Sequence, residues 1–366
     1  MDTLHAEMQV LIGQADGAAE HLFGRVVGVA VDEAGVIYVA DAFGSSVRAY
    51  DASGAYLSTV GSEGDGPGEF RYLLGLDLDP DGHLLVRGAP RISVFARGPT
   101  GAVTDSLVRT LPVEPGLADR DVRGKAVGRG YFAPSFYWEG FQRRGYFYLA
   151  HDSLGRVTDT VFVPPFPDPE TTGVANYPVN DQGFGVNVDG INRAPFEPRP
   201  SWDVDRQGRV VFAPGDRYEI VQVGTRGDTV WSVRRAVAAR EIPIPERRDS
   251  AAAFNARLDS VPVSIDEIRG MSAMARRREL PATLPPIIGI QVAEDGDLWV
   301  RRWPGTGMDE TVFDVLDPTG TLLHAVRVPA ALRSVPAPWI AGDLVVGVIV
   351  DPTTGVEQVG VFRLEG

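Results

Sequence analysis

The chain contains no cysteine, which removes disulfides, thiolate metal sites and a cysteine nucleophile together. No apolar run approaches the roughly 18 residues that a membrane-spanning helix needs. Positive charge is scarce: 35 Lys and Arg stand against 49 Asp and Glu, a net charge of −14. That balance argues against non-specific nucleic-acid binding and against attraction to anionic membrane surfaces. Histidine is also sparse. His5, His21, His83, His151 and His324 are scattered, with no His-x-His or His-x-x-x-His pair to start a zinc site. No Gly-x-Ser-x-Gly elbow occurs, although a Ser-His-Asp set assembled from distant segments stays open. Residues 176–192 are rich in Asn and hold Asp181 and Asp189 but lack a full Asp-x-Asn-x-Asp-Gly loop, so they read as a polar hairpin. No metal and no cofactor is expected. The N-terminus shows no basic segment followed by an apolar stretch, so no signal peptide is visible.

What the chain has in quantity is turn residues, 42 Gly and 28 Pro, within a composition that is still 44% hydrophobic. This suits many short strands rather than disorder. Residues 28–61, GVAVDEAGVIYVADAFGSSVRAYDASGAYLSTVG, read as four strands separated by two Asp-x-x-Gly turns and one loop. In such turns Asp binds the backbone and Gly takes positive φ. Four strands in about 35 residues make one propeller blade. Residues 75–86 (GLDLDPDGHLLV), 201–212 (SWDVDRQGRVVF) and 289–300 (GIQVAEDGDLWV) match residues 28–39 position for position. Outer turns recur at 51–54, 98–101, 152–155, 224–227 and 317–320, which implies five complete blades.

The chain ends on three strand-like runs with no outer strand after them. Residues 7–12, EMQVLI, precede the first inner strand, where an outermost strand would stand. The expectation is therefore an all-β fold: a single six-bladed β-propeller over residues 1–366, closed by its N-terminal strand, with no open sheet edge. Blade 3 is degenerate, with inner strands near 122–127 and 131–135 and an aromatic, basic loop over 136–145. Residues 164–200 form a long connection with a hairpin around 184–191. Residues 236–286 break the repeat. Residues 251–258 and 265–280 have helical composition, Ser264 and Glu267 form a capping box, and Pro243, Pro245, Pro262 and Pro281 punctuate the ends. A helical hairpin between blades 4 and 5 is expected, as a lid over the channel face or a brace on its rim.

Blade 1 resembles an NHL repeat, through Gly-Val-Ala-Val-Asp at 28–32, Tyr-Val-Ala-Asp at 38–41 and a third strand ending before Asp51. The loop after Asp41 departs from that pattern: Gly44 and Ser46 stand where Asn and Arg would be. The resemblance implies fold rather than function. Exported bacterial propellers are similar in their Gly-Asp-Gly-Pro-Gly-Glu-Phe segments (residues 64–70), so a periplasmic or lipid-anchored protein with its signal removed is expected, with a cytoplasmic start at Met1 as the alternative. Six-bladed calcium enzymes of the gluconolactonase type place Glu, Asn and Asp at inner-strand ends, where this chain has Gly28, Gly75, Ser201 and Gly289.

The sharper chemical signal is arginine. Aligning Gly35, Gly82, Gly208 and Gly296 places Ala40, Arg87, Ala213 and Arg301 at one position, the exit of the second strand. Asp41 and Arg302 follow, and Arg91, Arg217 and Trp303 lie in the same loops. Arg71 and Tyr72 lie in the link into blade 2. Arginine beside aromatics suits a carboxylate or phosphate, and arginine paired with rim acids is the structural alternative. Arg87 and Arg301, three blades apart, are expected to face each other across the channel. Two classes of function follow. One is a non-catalytic, monomeric propeller that binds a small anionic ligand, a glycan or a protein through Arg87, Arg301, Arg302, Trp303, Asp41, Arg91, Arg71 and Tyr72. The other is a metal-dependent hydrolase or lactonase with an atypical site.

Overall fold

The computed structural model describes residues 2–88, 91–98, 103–112, 124–127, 130–139, 142–164, 176–178, 185–187, 194–259, 276, 279–304 and 309–365. Their fold is built almost wholly from small antiparallel sheets of the β-propeller type. Sheet I comprises Val26–Val31, Ile37–Asp41, Ser46–Tyr50 and Tyr56–Val60. Sheet II comprises Leu73–Leu78, Leu84–Gly88, Arg91–Arg97 and Val103–Pro112. Sheet III comprises Lys125–Val127, Gly130–Glu139, Gln142–His151 and Val157–Phe162. Sheet IV comprises Ser201–Val204, Val210–Ala213, Glu219–Val223 and Thr229–Arg234.

The remaining strands join in one eight-stranded sheet. Gly289–Val292, Leu298–Arg302, Thr311–Leu316 and Leu322–Val328 form one half. Trp339–Ala341, Leu344–Val350 and Glu357–Glu365 form most of the other. The N-terminal strand, Thr3–Ile12, joins them. From His5 to Ile12 it pairs antiparallel with Glu357–Glu365, and from Thr3 to His5 it pairs parallel with Ala325–Arg327. The pairing expected for residues 7–12 is present, but the strand starts earlier. Its extra residues reach the neighbouring edge and fuse two units that the sequence reads as separate.

The turn chemistry is uniform. The Asp32 carboxylate accepts from the N–H groups of Ala34 (2.9 Å) and Val36 (3.0 Å), and Asp205 accepts from Gln207 (2.8 Å) and Arg209 (2.9 Å). Gly35 and Gly208 then take φ of 82° and 79°, which a side chain would resist. Strand burial follows position. Ile37–Asp41 and Thr311–Leu316 are buried along their whole length, whereas Tyr56–Val60 is exposed or half-buried except at Val60. Middle strands are covered on both faces by neighbouring sheets, so they read as continuous apolar runs.

Polar groups stitch the innermost strands together. The Asp77 carboxylate accepts from Ala126 N–H at 2.6 Å, and Asp203 accepts from Val292 N–H at 2.8 Å. Lys125, fully buried, donates to the Val292 carbonyl at 2.9 Å and lies 3.9 Å from the Asp203 carboxylate. It thus ties sheet III to sheets IV and V, the last being the half that begins at Gly289. Val26 N–H donates to Glu357 at 2.6 Å, tying sheet I to the C-terminal strands. Sheets I and II approach so closely that a Cβ on Gly28 would lie 2.9 Å from the Leu76 amide nitrogen.

Several expectations are corrected. Residues 136–139 and 142–145 are strand rather than loop: Gly130–Glu139 and Gln142–His151 pair through to Glu139 and Gln142. The aromatic run has strong β propensity and extends the ladder instead. The hairpin expected around 184–191 is a ribbon in which Asn176–Pro178 pairs with Gly185–Asn187. In the insertion, helix α1 spans Ile244–Asp259 and begins well before residue 251. Pro245 sits in its first turn, where an N–H has no helical partner. The ends of the insertion are pinned by Arg240–Glu241 pairing with Thr283–Leu284. The second expected helix, 265–280, and its Ser264–Glu267 cap fall mostly outside the described residues; Arg276 is helical and pairs with Asp259 at 2.5 Å.

Candidate functional site

The strand register sets the position of both key arginines. Gly75 pairs with Arg87 and Gly289 pairs with Arg301, so the two occupy equivalent places in sheets II and V. In each case the partner on the first strand is glycine, and at Gly75 the Arg87 guanidinium lies within 4 Å of where a Cβ would stand.

Arg301 is part-buried and donates through Nη2 to the Leu332 carbonyl, while Nη1 is buried without a hydrogen-bond partner. No acid pairs with it among the described residues. Burial alone pulls its pKa down from 12.5 to about 10: with no counter-charge, desolvation disfavours the cation. Arg301 borders two cavities. The larger, about 610 Å³, is walled by Phe196, Glu197, Ile287, Ile288, Trp303 and, from helix α1, Ser250, Ala253 and Phe254. The smaller, about 160 Å³, reaches Ser201, Trp202, Trp299, Phe313 and the segment 334–338.

Trp303 shares this character. Its Nε1 is buried and unpaired, and its ring lies 5.8 Å from that of Phe196. Phe196 itself holds φ of 64°. A bulky residue in the left-handed region is a strained one, at a cost of roughly 1–3 kcal/mol. Two unpaired N–H donors and a strained aromatic thus border one cavity whose walls are largely apolar but also hold Glu197 and Arg199.

Arg302 takes a different route. Adjacent residues on a strand point to opposite faces, so Arg302 turns toward sheet IV and meets Asp314, fully buried, at 3.4 Å. Asp314 also pairs with Arg235 at 3.0 Å and accepts the Tyr218 hydroxyl at 2.8 Å. Burial, and next the Asp314 charge, push the Tyr218 pKa up. Arg235 lies over the Tyr218 ring, 5.0 Å from its centroid. This network was not read from the sequence; the cue was a lone Asp in an otherwise apolar third strand, TVFDVL.

The other candidates are dispersed. Arg87 is 7% exposed, donates through Nη2 to the Leu74 carbonyl at 3.2 Å, and leaves Nε and Nη1 unpaired. Arg91 donates to the carbonyls of Asp65 and Gly66 and so braces the 61–70 loop. Asp41 accepts from the N–H groups of Gly24 (3.2 Å), Arg25 (2.9 Å) and Phe43 (3.2 Å) and pairs with Arg48 at 3.4 Å, so its charge is taken up locally. Arg217 pairs with Asp216 and Glu219 at the surface. Arg71 pairs with Asp65 and, with Tyr72, lines a third cavity of about 240 Å³ that also holds Arg25, Phe43 and Arg333.

Asp79, Asp81 and His83 are the one cluster of potential metal ligands among the described residues. The Asp79 carboxylate already accepts from the N–H groups of Asp81 (3.0 Å) and His83 (2.8 Å). The cluster sits in the hairpin turn at the opposite end of the strand from Arg87.

The chain matches no protein-family model and no curated protein sequence. Solved structures are similar to it over nearly its whole length. A member of the DUF4221 family from Bacteroides vulgatus shares 10% identity over 99% of this chain and 98% of its own, with a TM-score of 0.51. Virginiamycin B lyase from Staphylococcus aureus shares 11% over 98% and 100%, at 0.41. The calcium-binding protein regucalcin from Agrobacterium tumefaciens shares 12% over 100% and 97%, at 0.44. The likeness is one of fold, and the first of the three carries it. No helix among the described residues is long and apolar enough to cross a membrane.

Proposed function

We propose that this chain is a non-catalytic, monomeric, extracytoplasmic six-bladed β-propeller of the NHL-repeat type that binds a small organic anion in the cavity beside Arg301. The blade count is supported by the repeated four-strand sheets and by the pairing of Thr3–Ile12 with Glu357–Glu365. The insertion acts as a lid in this reading, since Ser250, Ala253 and Phe254 of helix α1 wall the same cavity as Arg301 and Trp303.

The observation that carries the function is Arg301 itself. A structural arginine is normally matched to an acid, as Arg302 and Arg235 are matched to Asp314. Arg301 is desolvated without one, and a carboxylate or phosphate entering the cavity supplies the missing charge through charge-assisted hydrogen bonds. The aromatic and aliphatic walls favour an anion with an apolar body. Arg87 belongs to the same reading, because it holds the equivalent register position and two of its donors are unpaired.

A screen of small carboxylates and phosphates by thermal shift tests this. At least one should raise the melting temperature of the wild-type protein, and Arg301→Ala should abolish the shift with little change in unliganded stability; Arg87→Ala, at a residue that lines neither Arg301 cavity, should reduce it only if the two arginines share the ligand. If both variants lose stability and no ligand is found, the arginines are structural. Stoichiometric calcium or zinc in the purified protein would favour the hydrolase alternative.

A further inference from the structure

The third cavity, about 240 Å³, lies where the exit of the second strand of sheet I meets the entry to sheet II. Its lining holds Arg25, Arg71 and Arg333 and no acidic residue. Two of these cations are neutralised from outside: Arg71 by Asp65 and Arg333 by Glu357. Arg25 is not. Its backbone N–H goes to Asp41 at 2.9 Å, but its guanidinium has no acid partner among the described residues. The excess charge is felt nearby, since burial first and the Arg25 charge second hold the Arg333 pKa below its usual value.

Two aromatic rings flank the same cavity and are left open to solvent. Phe43 is 76% exposed and Tyr72 is 50% exposed. Phe43 is not loose: its ring rests against residue 24 so closely that a Cβ on Gly24 would lie 2.7 Å from its Cδ2, and its N–H is held by Asp41 at 3.2 Å. One face of the ring is thus seated on backbone and the rest faces solvent. Exposed aromatics beside an unmatched guanidinium have a common chemical use: the ring covers a flat apolar face while arginine takes a carboxylate in a bidentate grip.

We propose that this cavity is a second binding site, for a carboxylate carried on a ring with an apolar face, either the flat ring of an aromatic acid or the C–H face of a glycan's uronic acid. Arg25 holds the carboxylate, and Phe43 and Tyr72 cover the ring. The site shares no lining residue with the larger Arg301 cavity and only Val335 with the smaller one.

The test is calorimetric titration of the full chain with benzoate and, separately, with glucuronate. At least one should bind. Benzoate alone assigns the aromatic acid, and glucuronate alone assigns the acidic sugar. In an Arg301→Ala background, where the other cavity no longer takes the anion, Arg25→Gln should weaken the remaining binding by about tenfold or more, and Phe43→Ala should weaken it without touching any charge. Arg25 is at the cavity edge with no partner to lose, so the Gln variant should melt with the wild type. The proposal is overturned if neither probe binds at millimolar concentration. It is overturned too if Arg25→Gln and Phe43→Ala both bind as their Arg301→Ala parent does. Loss of binding in Arg301→Ala with retention in Arg25→Gln would assign the probe to the Arg301 cavity and equally end the proposal.

Discussion

Replacing Arg301 by Met should make the unliganded protein more stable. A fall in pKa from 12.5 to about 10 corresponds to a cost of roughly 3 kcal/mol for holding the guanidinium charged in its folded site. Because the folded value is the lower one, this cost is present throughout the pH range in which the guanidinium is charged. Against it stands the hydrogen bond to the Leu332 carbonyl, worth about 1.5–3 kcal/mol for a charged donor. Met keeps the unbranched apolar stem and discards both terms. The net expectation is a gain of about 1 kcal/mol in urea denaturation at pH 7. A ligand at about a hundred times its Kd should stabilise the wild type by about 2.7 kcal/mol and the variant by nothing. The reasoning is refuted if Arg301→Met costs several kcal/mol and no anion stabilises the wild type, because the arginine would then be a well-matched part of the scaffold.

Asp314→Asn should cost about 3–5 kcal/mol in denaturant unfolding, because it leaves Arg235 and Arg302 facing each other over a neutral group; a loss below about 1 kcal/mol would mean that solvent already screens the network. Deleting residues 1–13 removes the partner of Glu357–Glu365 and exposes its edge, so the truncated chain should aggregate or melt far earlier in light scattering and thermal scans. Burial raises the Tyr50 pKa from 10.0 to about 12, so the folded state keeps a proton that the unfolded state releases. Stability should fall as pH rises from about 10 to about 12, and Tyr50→Phe should flatten that alkaline limb.

Much of the fold was legible because the repeat is carried by local chemistry. The aspartate that accepts turn N–H groups and the glycine at positive φ are required by each hairpin separately, so they recur wherever a hairpin does. The pairing of the N-terminal strand was legible for a related reason, as a missing outer strand leaves an edge that some other segment must fill. Sheet III was harder to read. Its strands carry clustered aromatics, and the same composition fits an exposed loop or an extended ladder until the partner strand is known. The start of helix α1 was missed because Pro245 reads as a breaker in isolation and is harmless in a first turn.

The site was legible only in part, and the reason is the two-residue period of a strand. The sequence aligned Arg87 with Arg301 correctly, since register follows from the turns. It then grouped Arg301 with Arg302 because they are adjacent, although adjacency on a strand guarantees opposite faces. One face meets Asp314, a partner 12 residues away, and the other meets none. Charge compensation is therefore a property of the face rather than of the motif. Arg25 makes the same point from the other side. It belongs to no repeat position that drew notice, and its distinction arises only because Asp65 and Glu357, each from a different segment, neutralise its neighbours and leave it unmatched. A binding arginine is recognised by the acid that is absent from its surroundings, and those surroundings are assembled from strands that the sequence keeps far apart.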